Sequence, residues 1–99
     1  MKDFYLFECG ELSNHLYFLY EGEVKLLSKT GDMVYTTLST ASPIEEGDFL
    51  LNLRRCCSAR TSRNSIIFYI DRSNFNRCVN SFDGYLEQRE KMYMHYKNN

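Results

Sequence analysis

The chain has 99 residues, 43% hydrophobic and 15% aromatic, which is enough for one domain with a single core. Its net charge of −1 excludes a general nucleic-acid-binding role, because neutralising phosphates requires a basic surplus. No apolar run approaches the roughly 18 residues of a membrane-spanning helix, and the N-terminus lacks the pattern of a secretory signal.

Residues 4–71 have the pattern of short β-strands separated by turns. Gly31 lies in a predicted hairpin turn over residues 29–32, where a positive φ is needed. Many short strands joined by glycine-containing turns are typical of a sandwich or a barrel. The clearest predicted strands cover residues 4–7, 16–20, 23–28, 34–38 and 65–71.

The C-terminal part, residues 73–97, is predicted to be helical. Ser73 is the expected N-cap, and Gly84 is expected to break the segment into two helices. Four residues spaced at i, i+4, i+7 and i+11 lie on one face of this helix: Tyr85, Arg89, Met92 and Tyr96. This face either packs on the core or covers a bound ligand.

The cysteine pattern excludes a zinc site, since no pair has the two to four intervening residues that zinc ligands usually have. The four cysteines are therefore predicted to be reduced thiols, and no metal is expected. His15 and His95 lack a nucleophile or acid partner at a useful spacing, so no catalytic residue and no enzyme activity is predicted.

An acid-rich turn is followed within ten residues by an arginine cluster. The turn contains Glu45, Glu46 and Asp48, and residues 54–63 hold four arginines and no acid. A guanidinium binds two oxygens of a phosphate diester through its planar fork, and a carboxylate can accept from a ribose hydroxyl. The pattern indicates a sugar–phosphate ligand. The plainer alternative is a solvated turn whose acids form surface salt bridges with the arginines.

Three stretches carry a family pattern: residues 10–22 (GELSNHLYFLYEG), 54–60 (RRCCSAR) and 73–76 (SNFN). In this order they resemble conserved stretches of cyclic-nucleotide-binding domains. The resemblance is greatest to the cytoplasmic domain of cyclic-nucleotide-regulated cation channels, either hyperpolarisation-activated or cyclic-nucleotide-gated. It implies an eight-strand-type antiparallel β-roll, jelly-roll-like, followed by two helices. The family has a helix and a first strand before the position of Asp3, so the N-terminus is truncated relative to that pattern.

The family's binding cassette, F-G-E-hydrophobic-x-L-L, has its phosphate arginine ten residues after the glycine. An ungapped match places Ile44, Glu45 and Glu46 at F-G-E, and Arg55 at that arginine. The resemblance implies that Glu46 accepts from the ribose 2′-hydroxyl and that Arg55 pairs with the cyclic phosphate. Cys56 takes the place of a threonine that often assists.

A second register remains open, in which Gly47 and Asp48 form the glycine–acid pair and the cassette is two residues short. In either register the C-terminal helix is implied to act as a lid, with Met92 and Tyr96 near the purine.

The resemblance implies a regulatory module that binds cyclic AMP or cyclic GMP and passes a helix movement to an attached pore or effector domain. In a channel, the parent would be a tetrameric membrane protein with this part on its cytoplasmic side; otherwise the module is cytosolic. The alternative is a non-binding protein-interaction module with the same fold. Glu45 favours this alternative, because it replaces a glycine and adds negative charge beside an anion.

Overall fold

The structure is a computed structural model that describes the backbone of residues 3–98 and the side chains of residues 3–91. The described residues form seven strands: β1 (Tyr5–Phe7), β2 (His15–Glu21), β3 (Val24–Leu27), β4 (Val34–Leu38), β5 (Ser42–Ile44), β6 (Ser58–Thr61) and β7 (Ile66–Asp71). A short helix, α1 (Glu46–Leu50), lies between β5 and β6, and a long helix, α2 (Arg72–Asn98), follows β7.

The strands form two antiparallel sheets with the orders β1-β6-β3-β4 and β5-β2-β7. Among the described strands, only β3 and β4 are neighbours both in sequence and in a sheet. Gly31, in the turn between them, has φ +83, the positive value that was predicted. Most other connections pass from one sheet to the other. The predicted antiparallel β-roll with a helical C-terminal part is therefore confirmed.

The core lies between the two sheets because alternate residues of each strand point inward. In β3, for example, Val24 and Leu26 face the core while Lys25 lies between them on the other face. The buried cluster draws on both sheets and consists of Phe7, Leu19, Val24, Leu26, Ile44, Cys57 and Ala59.

The helical part differs from the prediction at its start and at Gly84. The Asp71 carboxylate accepts a hydrogen bond from the Asn74 N–H at 2.8 Å, so Asp71 is the N-cap and the helix begins at Arg72, before Ser73. Gly84 lies inside one continuous helix. A helix-interior glycine costs about 1 kcal/mol relative to alanine, which is too little to end a long helix.

The helix α2 contacts the roll near its start and then extends away from it. Phe75 packs edge-on against Phe49, with ring centroids 5.1 Å apart. All side chains of residues 76–91 are exposed, and the molecule measures 64 × 25 × 19 Å. The alternative in which the face with Tyr85 and Arg89 packs on the core is wrong, because both side chains are exposed. Met92 and Tyr96 lie outside the described side chains.

Gly22 allows the tight approach between the β2–β3 turn and the start of β7. Its φ is +117, and a Cβ added there would lie 2.6 Å from the Cα of Ser65. We expect Gly22→Ala to lower the free energy of unfolding by about 2–4 kcal/mol, because it combines backbone strain with a backbone clash. Urea denaturation measures this loss.

Gly10→Ala is the matched control, because Gly10 also has a positive φ but nothing lies within 4 Å of its added Cβ. Gly10→Ala should lower the free energy of unfolding by about 1 kcal/mol, from backbone strain alone. Equal losses for the two variants would show that the contact with Ser65 contributes nothing.

Candidate functional site

Arg55 is the centre of the candidate site, and its backbone position is fixed by the segment before β2. Its N–H donates to the carbonyl of Glu11 at 2.8 Å, and its own carbonyl accepts from the N–H of Gly10 at 2.8 Å. The neighbouring Arg54 forms an isolated bridge with Leu12. This pairing directs the Arg55 side chain inward, where it is only 3% exposed.

The Arg55 guanidinium is held by carbonyls and an aromatic ring. Nη1 donates to the carbonyl of Glu45 at 3.1 Å, and Nη2 donates to that of His15 at 2.5 Å. The Cζ atom lies 4.1 Å from the centroid of the Phe7 ring, a cation–π contact. The buried Nε has no hydrogen-bond partner among the described residues.

The plainer alternative, in which Arg55 forms salt bridges with the acids of the turn, does not hold within the described residues, where no ion pair reaches this guanidinium. Burial lowers the pKa of Arg55, and the nearby charge of Asp48 acts in the opposite direction. A buried cation held only by neutral acceptors is a favourable position for an anion.

Glu45 adopts a backbone conformation that normally requires glycine. It is the N-cap residue of α1, with φ 49 and ψ 49 in the left-handed region. Gly47, the glycine of the alternative register, lies inside α1 and has no positive φ. The backbone therefore favours the ungapped register, in which Glu45 occupies the glycine position. Burial, and after it the charges of Asp48 and Glu46, raise the pKa of Glu45.

Asp48 is a buried acid in this site, with 7% of its surface exposed. Its Oδ2 accepts from the Cys56 N–H at 3.4 Å, and its Oδ1 accepts from the Cys56 thiol at 3.3 Å. The hydrogen bond to Asp48 is the main reason that the pKa of Cys56 is raised.

One cavity lies beside the guanidinium, and a second cavity shares two lining residues with it. The smaller, of about 270 Å³, is lined by Arg55 and by residues of β1, β2 and the segment between them. The larger, of about 420 Å³, lies between the strands β1, β2 and β7 and includes the rings of Tyr5 and Tyr69. His15 and Tyr17 line both cavities. The site therefore offers a buried cation next to aromatic walls.

A family model, that of the cyclic nucleotide-binding domain, matches residues 1–82. The chain belongs to this family.

Solved structures show the same fold at low sequence identity. The regulatory subunit of a cAMP-independent protein kinase A from Trypanosoma brucei matches with a TM-score of 0.68 and 19% identity, over 91% of this chain and 33% of that one. The regulatory domain of Toxoplasma gondii PKA with cAMP matches with a TM-score of 0.67 and 19% identity, over 77% of this chain and 30% of that one.

An EAL enzyme, Bd1971, in a form with cAMP and cyclic-di-GMP bound, matches with a TM-score of 0.66 and 21% identity, over 80% of this chain and 22% of that one. This chain thus spans about a third or less of these three proteins. No curated protein matches it. Within the described residues, no helix is long and apolar enough to cross a membrane.

The predicted site residues do not all lie together in this cyclic nucleotide-binding domain. Ile44 ends β5 with 0% exposure and belongs to the core. Glu45 contacts the Arg55 guanidinium through its carbonyl, and Cys56 contacts Asp48. Glu46, in contrast, is exposed on the first turn of α1. The predicted purine contacts, Met92 and Tyr96, lie outside the described side chains. The described residues contain no cluster that could hold a metal ion, and the four cysteines are free.

Sequence reasoning missed the residues that hold α1 in this domain. The Arg72 guanidinium donates to the carbonyls of Ser13 at 2.6 Å and Phe49 at 2.8 Å, and it lies 4.2 Å from the Phe49 ring centroid. The Ser13 hydroxyl donates to the carbonyls of Asp48 and Leu53. A helix of five residues has no periodicity that would predict its buried face, so no sequence signal identified Asp48 as buried.

Replacing Glu45 by glycine should stabilise the domain. Glu45→Gly removes left-handed strain, so we expect the free energy of unfolding to rise by about 1 kcal/mol in urea denaturation. Glu46→Gly is the control, because Glu46 has an ordinary helical backbone and the change should cost about 1 kcal/mol. A loss of stability in both variants would contradict the assignment of strain to Glu45.

Because the pKa of Glu45 is raised, we expect Glu45→Gln to increase the stability of the domain in a pH-dependent way. The charged form is disfavoured in the folded state, so this cost is present at neutral pH and is lost as pH falls below the ordinary carboxyl value of 4.5. The variant should therefore be more stable than the original at pH 7 and equally stable at low pH. Parallel urea titrations across this range measure the difference, and a gain independent of pH would contradict the electrostatic cause.

Proposed function

We propose that this domain is a regulatory module that binds cyclic AMP or cyclic GMP, with the cyclic phosphate at Arg55 and the ribose hydroxyl at Glu46. The observation that carries the proposal is the buried Arg55 guanidinium, which has no ion-pair partner among the described residues. Membership of the cyclic nucleotide-binding family supports the choice of ligand.

Burial of an unpaired guanidinium is unfavourable unless other groups compensate for its lost hydration. Two carbonyls and the face of Phe7 compensate in part, and the buried Nε has no partner. A phosphate would supply charged acceptors, which form stronger hydrogen bonds than neutral carbonyls do. Arg55 thus provides a driving force for binding an anion.

The surroundings of Arg55 fit the remainder of a nucleotide. Glu46 begins α1, next to Glu45, and its exposed carboxylate is free to accept from a hydroxyl. The larger cavity, of about 420 Å³, is within the usual size range of small-molecule pockets. Contacts of Met92 and Tyr96 with the purine remain a prediction from the family resemblance, and Cys56 is offered as a weak donor in place of threonine.

The output of the module is proposed to be a movement of α2, passed to an attached effector domain. The channel setting, with a pore as effector, a tetramer as assembly and a cytoplasmic location, rests on the sequence resemblance alone. The solved structures reported above belong to kinase regulatory subunits and to an EAL enzyme, so other effectors fit equally well.

The second candidate function is a protein-interaction module that does not bind nucleotide. Two acids favour it: Glu45 at the glycine position and Asp48 beside Cys56. The Trypanosoma relative, described as cAMP-independent, has the same fold.

Calorimetric titration with cyclic AMP and cyclic GMP distinguishes the two functions. A binding module should show micromolar affinity, and Arg55→Lys should weaken it at least tenfold, about 1.4 kcal/mol, because a lysine cannot replace the planar fork.

Arg54→Lys is the control for this titration, since Arg54 is exposed and donates to the carbonyl of Gly10. Its nucleotide affinity should equal that of the original chain. Equal affinities for Arg55→Lys and the original would remove Arg55 from the site, and no binding by the original chain would favour the interaction module.

A further inference from the structure

Asp48 is the only buried carboxylate in residues 3–91. A buried carboxylate needs several donors or a nearby positive charge to offset its lost hydration. Asp48 receives one backbone N–H and one thiol, both from Cys56, at 3.4 and 3.3 Å. These two long hydrogen bonds leave most of its acceptor capacity unused.

The buried cation beside this carboxylate is Arg55, which directly precedes Cys56, the hydrogen-bond partner of Asp48. Burial lowers the pKa of Arg55, and the charge of Asp48 acts in the opposite direction. The two groups nevertheless do not form a direct ion pair, because the Arg55 nitrogens donate to the carbonyls of Glu45 and His15 instead. Asp48 therefore favours the charged form of the guanidinium without contacting it directly.

A phosphate at Arg55 would also need the donor that Asp48 uses. The N–H of Cys56 follows Arg55 directly along the chain, so it is the backbone donor best placed to share an anion with the guanidinium. That N–H already donates to Asp48 Oδ2. A phosphate placed there would meet a second negative charge in a partly buried site, where repulsion is poorly screened.

We infer that the Asp48 carboxylate is an internal counter-anion of Arg55 that competes with the ligand's phosphate and so sets the nucleotide affinity of this site. This inference rests on the proposed function and names how the same site is regulated.

The carboxylate is anchored in place by its own main chain. The Asp48 carbonyl accepts from the Ser13 hydroxyl at 2.9 Å and from the Leu53 N–H at 2.8 Å. Ser13 in turn is bound through its carbonyl by Arg72, the first residue of α2. The main chain of Asp48 is therefore connected through Ser13 to the start of α2.

Asp48→Asn tests the inference, because asparagine keeps the shape and an acceptor for the Cys56 N–H but removes the charge. We expect calorimetry with cyclic AMP to show an affinity at least about tenfold higher than that of the original chain. Asp32→Asn makes the same change in net charge on the exposed β3–β4 turn and should leave the affinity unchanged. Asp48→Ala is a second variant, in case asparagine prevents folding, which thermal melting would reveal.

Adding Arg55→Lys to the Asp48→Asn variant should abolish the increase in cyclic AMP affinity, because that increase depends on the guanidinium. Binding by the original chain with no tightening in either Asp48 variant overturns the inference and leaves the proposed function standing. Equal tightening by Asp32→Asn also overturns it, since net charge alone would then be the cause. Absence of binding by all variants overturns the proposed function and the inference together.

Discussion

Burial of one guanidinium is the constraint on which the centre of this domain depends. Arg55 reaches Phe7 in β1, the His15 carbonyl in β2 and the Glu45 carbonyl at the β5–α1 junction, so a single side chain joins both sheets to α1. A neutral replacement could fill the same volume but would leave two carbonyls without donors, at about 1–3 kcal/mol each. The residue proposed to bind phosphate thus also holds the surrounding segments in place.

Glu45 has a left-handed backbone conformation, which glycine adopts without strain and other residues rarely adopt. At Glu45 the left-handed conformation persists because β5 and Ile44 fix the chain on one side and α1 fixes it on the other. Such strain is stored only where the surroundings determine the conformation. Two acids, Glu45 and Asp48, therefore lie close to the buried Arg55 guanidinium.

Strand alternation and turn glycines were sufficient to predict five of the strands, and the ordered family motifs were sufficient to predict the roll; the role of Arg55 stays a prediction. The elements β5 and α1 escaped prediction, because β5 contains Pro43, which argues against a strand, and α1 is too short to show helical periodicity. Asp71 was missed as the N-cap because it is also the last residue of β7. The roles of Asp48 and Arg72 depend on contacts between distant segments, which local sequence patterns do not encode.

The projection of α2 has a thermodynamic consequence. Beyond Phe75, the described side chains of this helix find no partner in the roll, so this part must be stabilised by its own hydrogen bonds and propensities. Isolated helices shorter than about 12–15 residues are marginal in water, and longer ones remain in equilibrium with coil. A partner that packs on the exposed Val79, Phe82 and Leu86 would therefore stabilise this part of the helix as it binds.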